Sequence, residues 1–205
     1  VSVEQALAVR RSVRHFGPEG LSLVQVSQLL WAAYGVSKPW PESASLAGGL
    51  RTAPSAGACY PLELYLVVGN VAGLPAGVYR YRSDSHALRP VRTGDVRAAL
   101  CAAAWGQEFV SAAPVSIVYF AVYRRTTDRY GRRGRERYVC MDLGHSAENV
   151  YLQCAALGLG TCAVGAFNDA AVSRVICANQ AEEPLYIMPV GRPQASTQTA
   201  TQQRR

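Results

Sequence analysis

Three separated stretches of the chain carry groups suited to holding a flat, charged ligand. In "RRSVRHF", Arg10, Arg11 and Arg14 gather three guanidinium forks around the hydroxyl of Ser12 within five residues. Such forks match the oxygens of a phosphate, although arginines that close a helix also complement its dipole, so two readings stand. Arg192 in "PVGRP" is a distant candidate partner, since it follows a predicted buried strand that would fix its direction. In "RTAPSAGACY", Pro54 fixes a dihedral, Ser55 offers a short hydroxyl, and Ala56 and Gly57 leave the backbone open to a planar ring; a plain surface turn explains the same residues. In "GLGTCAVGAFNDAAV", a strand-to-helix turn at Gly165 and Ala166 supplies backbone N–H donors without a side chain. Its glycines are misplaced for a dinucleotide fingerprint and follow a helix.

The elements around these stretches follow from hydrophobic period. "VSVEQALAVRRS" predicts a short helix with Ser2 as N-cap and Gln5 three residues on. "LSLVQVSQLLWAAYG" places Leu23, Val26, Leu29, Leu30 and Ala33 on one helical face and stops at Gly35. "KPWPESASLAGGL" reads as a loop. "LELYLVVG" and "APVSIVYFAVYR" are runs expected of strands buried on both faces, "GVYRYRSDSHALRPV" of a hairpin, and "EPLYIMPVG" of a last strand. "DVRAALCAAAWG" reads as helical. The helix over residues 138–157 carries apolar or small residues around much of its circumference, which suits burial within a domain or between subunits. Strands alternating with helices indicate a mixture of both, and the hairpin excludes a simple doubly wound repeat. One domain over residues 1–194 and a disordered polar tail over 195–205 are expected.

The chain has 205 residues and a formal net charge of +7, and Lys38 is the single lysine among its 21 basic residues. No apolar run approaches the roughly 20 residues of a membrane span, and no leader opens the sequence, so a cytoplasmic protein without a membrane partner is expected. Six scattered cysteines and three histidines lack metal-ligand spacing, so no metal is assigned. "YRRTTDRYGRRGRERY" holds seven arginines among tyrosines, the composition of a nucleic-acid patch. A solvated loop or helix is its commoner cause, and a cofactor-free nucleic-acid-binding module is the rival reading from another class.

In order, "ALAVRRSVRHF", "PSAGACYPLELYLV", "GHSAENVYLQCAALGLG", "VGAF" and "MPVGRP" resemble the nitroreductase superfamily, and within it the thiazoline/oxazoline dehydrogenase branch, from about Val3 to Pro193. The resemblance implies an α+β fold with a central mixed sheet flanked by helices, an intertwined homodimer, and non-covalent FMN at its interface. It implies that Arg10, Ser12 and Arg192 hold the FMN phosphate with Arg11 assisting, and that Arg14 lies near the pyrimidine edge. It puts Pro54, Ser55, Ala56 and Gly57 beside the ring, partly from the other subunit, makes Val164, Gly165 and Ala166 of "VGAF" cofactor-binding, and has a main-chain N–H of Gly165 or Ala166 donate to flavin N5. NADH or NADPH is implied as donor, with a small molecule or peptide as substrate. Azoline-oxidising members carry a Lys-Tyr pair before the long helix. Arg137 and Tyr138 stand there instead, and arginine cannot act as a base at ordinary pH.

Overall fold

The computed structural model describes residues 1–39 and 49–194. Most of the expected loop after Lys38, and the tail expected over 195–205, lie outside them. The chain begins with α1 (Val3–Val9), β1 (Leu21–Ser22), α2 (Leu23–Tyr34), β2 (Val36–Pro39), β3 (Gly49–Arg51), β4 (Leu62–Val68) and β5 (Val71–Ala72). The hairpin β6 (Gly77–Arg82) and β7 (Ala87–Thr93), then α3 (Arg97–Ala103), α4 (Glu108–Ala112) and β8 (Val115–Ala121) follow. The last part is α5 (Arg124–Arg133), a π-helical turn (Gly134–Tyr138), α6 (Val139–Ala156), β9 (Gly160–Thr161), α7 (Asp169–Ile176) and β10 (Glu183–Gly191).

Six strands form the central sheet in the order β7-β6-β4-β8-β10-β9. Every neighbouring pair in it is antiparallel, which corrects the expected mixed sheet. The parallel pairings among the described residues are peripheral: β1 with β5, and a bridge from Ser12 to Thr161. The sheet is covered on both faces, which is why β4 and β8 read as unbroken apolar runs. Leu62, Leu64, Leu66, Ile117 and Tyr119 pack with α2 and α6 on one face; Tyr65, Val67, Val118, Phe120 and Ile187 pack with α3 and α7 on the other.

Helices α1 and α2 start where the local chemistry says they should. Ser2 with Gln5 and Ser22 with Gln25 form complete capping boxes on α1 and α2, satisfying two otherwise orphaned N–H groups at each end. Val26, Leu29, Leu30 and Ala33 turn inward from α2, whereas Leu23 is 47% exposed. The basic segment is helical and runs through the π-turn into α6, interrupted at Gly131 where φ is +54°. Its arginines are mostly engaged within the chain: Arg124 pairs with Asp128, Arg125 with Glu63, Arg132 with Glu136 and Arg135 with Glu183. The six cysteines are free thiols, with Cys154 and Cys162 buried and Cys140 and Cys177 exposed. No helix among the described residues is long and apolar enough to cross a membrane.

Candidate functional site

The amino-terminal half of α6 holds the 54–57 turn. Asp142, 2% exposed, accepts the Ser55 hydroxyl at 2.5 Å on Oδ2 and the Ala56 N–H at 3.2 Å on Oδ1. Ser55 Oγ also accepts the N–H of Tyr60 at 2.9 Å, and His145 Nδ1 lies 3.2 Å from the Pro54 carbonyl. Burial pushes the Asp142 carboxyl above its ordinary value, while the bonds from Ser55 and Ala56 and the nearby His145 oppose that rise. The clamp holds a strained backbone: φ is +59° at Gly57, +54° at Ala58 and +46° at Tyr60. A left-handed non-glycine residue costs on the order of 1–2 kcal/mol, so this turn persists because its surroundings over-determine it.

Tyr130 and Arg129 of α5 lie against this turn. Arg129 Nη1 donates to the Gly57 carbonyl at 3.3 Å, and a Cβ on Gly57 would come 2.3 Å from the Tyr130 hydroxyl. Tyr130 meets Tyr138 edge to face, centroids 5.0 Å apart, and Tyr138 Oη accepts Arg133 Nε–H at 2.9 Å. The structure thus links Tyr138 to the 54–57 turn through one ring. Arg137 is exposed and makes no hydrogen bond or ion pair among the described residues.

The carboxy-terminal half of α6 gathers a second group. The Arg10 guanidinium lies 5.2 Å from the Tyr151 ring centroid, with Nε 3.8 Å from Glu148 Oε1. Ser12 Oγ lies 3.3 Å from Tyr151 Oη, which also accepts the Ala163 N–H at 2.8 Å. The bond from Val13 N–H to the Thr161 carbonyl, 2.9 Å, draws the 10–14 segment onto β9. Arg11 folds back onto the carbonyls of Ala8 and Arg10, so here the helix-capping reading holds. Arg14 is exposed without a partner among the described residues.

Just beyond Ala163, Val164 exchanges both backbone bonds with Ile187 at 2.8 and 3.0 Å, Gln107 Nε2 donates to the Ala166 carbonyl, and Asn168 caps α7. Between these anchors the exposed N–H groups of Gly165 and Ala166 have no acceptor among the described residues. Arg192 lines a different hollow, beside Gly20, Ser22, Gln25 and Asn70, and its carbonyl accepts the Gly17 N–H. Sequence reasoning missed Asp142 and Tyr151. A signal existed for the first: Asp142, Ser146 and Asn149 recur at i, i+4 and i+7 on an otherwise apolar helix face. Ser146 and Asn149 donate to the carbonyls of Ala33 and Ala32, tying off the end of α2.

The nitroreductase family model matches residues 7–192. The nitroreductase homologue MJ1384 of Methanocaldococcus jannaschii is 43% identical over 192 residues, covering 94% of this chain and 91% of that protein. The crystal structure of a Ralstonia eutropha protein assigned as a nitroreductase superposes with a TM-score of 0.79 at 34% identity, over 95% of this chain and 84% of that one. The microcin B17-processing protein McbC of Escherichia coli is 28% identical over 165 residues, 78% of this chain but 58% of McbC. With its α+β fold and with relatives among both nitroreductases and peptide-processing proteins, the chain belongs to the nitroreductase family of oxidoreductases.

Proposed function

We propose that this oxidoreductase depends on FMN and works as a homodimer whose two halves of α6 contribute to each flavin site. The observation that carries this reading is the pair of unanswered N–H groups at Gly165 and Ala166, tied through Tyr151 to the Arg10 and Ser12 cluster. The donor set fits a phosphorylated ring: cations and a hydroxyl at one end, undonated backbone amides at the other. Arg10 and Ser12 would hold the phosphate, Arg14, without a partner among the described residues, would reach the pyrimidine edge, and Arg192 would join them from the neighbouring hollow. Val164, pinned to Ile187, would fix the direction of the two amides. Bound FMN supplies hydride exchange at N5, with NADH or NADPH as donor and an organic acceptor.

The homodimer is supported by geometry. Asp142 and Tyr151 are separated by about 14 Å along α6 at 1.5 Å per residue, so the 54–57 turn and the Arg10 cluster stand well apart within one chain. A two-fold partner that packed on the exposed side of α6, where Met141 and Gly144 are exposed at one end and Val3 of α1 lies near Asn149 and Leu152 toward the other, could bring one chain's turn to the other's cluster.

Tyr138 is the candidate proton-handling group. Because its oxygen accepts from Arg133, its hydrogen is directed away from that residue and remains available to donate. Replacement by Phe is expected to slow turnover several-fold with flavin retention unchanged, measured by stopped-flow reduction and flavin release; equal rates would remove the hydroxyl from the mechanism. Azoline oxidation is a second reading, supported by the similarity to McbC, but Arg137 offers no base where the resemblance implies lysine. The deciding experiment is absorption spectroscopy of the purified chain with FMN, then anaerobic titration with NADH and NADPH. Failure to take up FMN supplied in excess would overturn the proposal.

A further inference from the structure

A cavity of about 380 Å³ opens behind the 54–57 turn, between the β6–β7 hairpin, β3 and the start of α5. Its size falls within the range of small-molecule sites, roughly 300–1,000 Å³. Five arginines line it: Arg51, Arg80, Arg82, Arg89 and Arg125. Arg80 and Arg89 stand directly opposite each other across β6 and β7, a like-charged pairing that is unfavourable without counter-charge.

The carboxylates do not cover them all. Glu63 takes Arg80 at 2.9 Å and Arg125 at 2.5 Å, Glu182 takes Arg80 at 3.1 Å, and Asp84 takes Arg82 at 2.7 Å. Among the described residues Arg51 and Arg89 have no carboxylate. Arg51 is held against the rings of Tyr34 and Tyr60, 4.3 and 5.0 Å from their centroids, and its Nη1 donates only to neutral oxygens, the Ser83 hydroxyl and the Tyr34 carbonyl. Its Nε–H is buried and has no acceptor among the described residues. A buried guanidinium donor left unanswered is costly, and it sits in the wall of a cavity whose other unpaired charge has the same sign.

We infer that this cavity is a binding site for a small oxyanion, a carboxylate or a phosphate, held by Arg51 and Arg89 and distinct from the proposed flavin site. Planar forks accept either anion in bidentate fashion, so the shared chemistry is an oxygen-rich monoanion or dianion on a compact body. Aromatic stacking already fixes the Arg51 fork, which limits the ordering needed on binding.

The test is calorimetric titration of the full chain with sodium phosphate and, separately, sodium succinate, at ionic strength held constant with sodium chloride. Saturable binding of at least one is expected, and the preferred anion distinguishes a phosphoryl from a carboxylate ligand. Arg51 is part of the packing, so the informative variant is the exposed Arg89→Gln, expected to weaken binding about tenfold or more through loss of one charge-assisted contact. Phosphate can also meet the Arg10 and Ser12 cluster, so Arg10→Gln is expected to remove at most a second binding event and to leave intact the one weakened by Arg89→Gln. No saturable binding of either anion would overturn the assignment. Affinity equal to wild type in Arg89→Gln, or binding lost in Arg10→Gln but kept in Arg89→Gln, would do the same.

Discussion

The two halves of α6 do opposite kinds of work. At its amino-terminal half a buried carboxylate grips a backbone turn whose neighbours Ala58 and Tyr60 hold left-handed dihedrals; at its carboxy-terminal half the partly exposed Glu148 and Tyr151 touch Arg10 and Ser12 at longer range. The first arrangement is rigid and desolvated, and its bonds belong to the fold. The second is solvated and loosely paired, and its cation and hydroxyl remain available. One helix thus supplies a shaped wall at one end and a charged handle at the other. Substitutions at the two ends should therefore fail in different ways.

The largest effect is expected for Asp142→Ala, which strands the Ser55 hydroxyl and the Ala56 N–H in a mostly buried setting. A loss of about 3 kcal/mol is expected, read from urea unfolding, with turnover falling more than tenfold. Stability equal to wild type would erase the contrast between the ends. Next comes Arg10→Ala: if the other half is a handle, FMN affinity falls at least tenfold, as for loss of one charged contact, while the unfolding midpoint stays within error. A matching loss of stability would instead make Arg10 part of the scaffold.

Gly57→Ala should cost about 1–2 kcal/mol, since an added Cβ meets the Tyr130 hydroxyl and a left-handed φ is imposed on alanine. Tyr130→Phe in the same background should recover the steric part alone, as unfolding curves of the two variants would show. The smallest effect concerns pH. Because burial raises the Asp142 carboxyl in the folded chain, its protonated form is the better tolerated. Its contribution is complete below the unfolded value near 3.8 and is lost as pH rises through the higher folded value. Asp142→Asn should flatten that part of the stability profile, and a curve parallel to wild type would show that the residue does not titrate there.

Much of the scaffold was legible because local chemistry and tertiary demand agree. Ser2 with Gln5 specifies the start of α1 by itself, and the unbroken apolar runs of β4 and β8 require cover on both faces. The short pairings of β1 with β5 and β2 with β3 were not legible, because two to four residues of strand carry no period of their own. The break between a basic segment and the long helix was also invisible, since Gly131 interrupts the helix and helical structure resumes after it through the π-turn. In the candidate site, Ser55 and Ala56 could be picked out by residue type, whereas the carboxylate that holds them lies some ninety residues away.

The order of residues determined by itself where helices begin, which strands are central, and which short stretches carry guanidinium, hydroxyl and bare backbone groups, since each depends on neighbours within a few positions. Only the tertiary structure decided that Asp142 clamps the 54–57 turn, that Tyr151 joins Ser12 to Ala163, that Arg192 lines another hollow, and that Arg51 and Arg89 line one cavity without counter-charge. Those facts depend on desolvation and on contacts between residues far apart in the chain, and neither is written in local spacing.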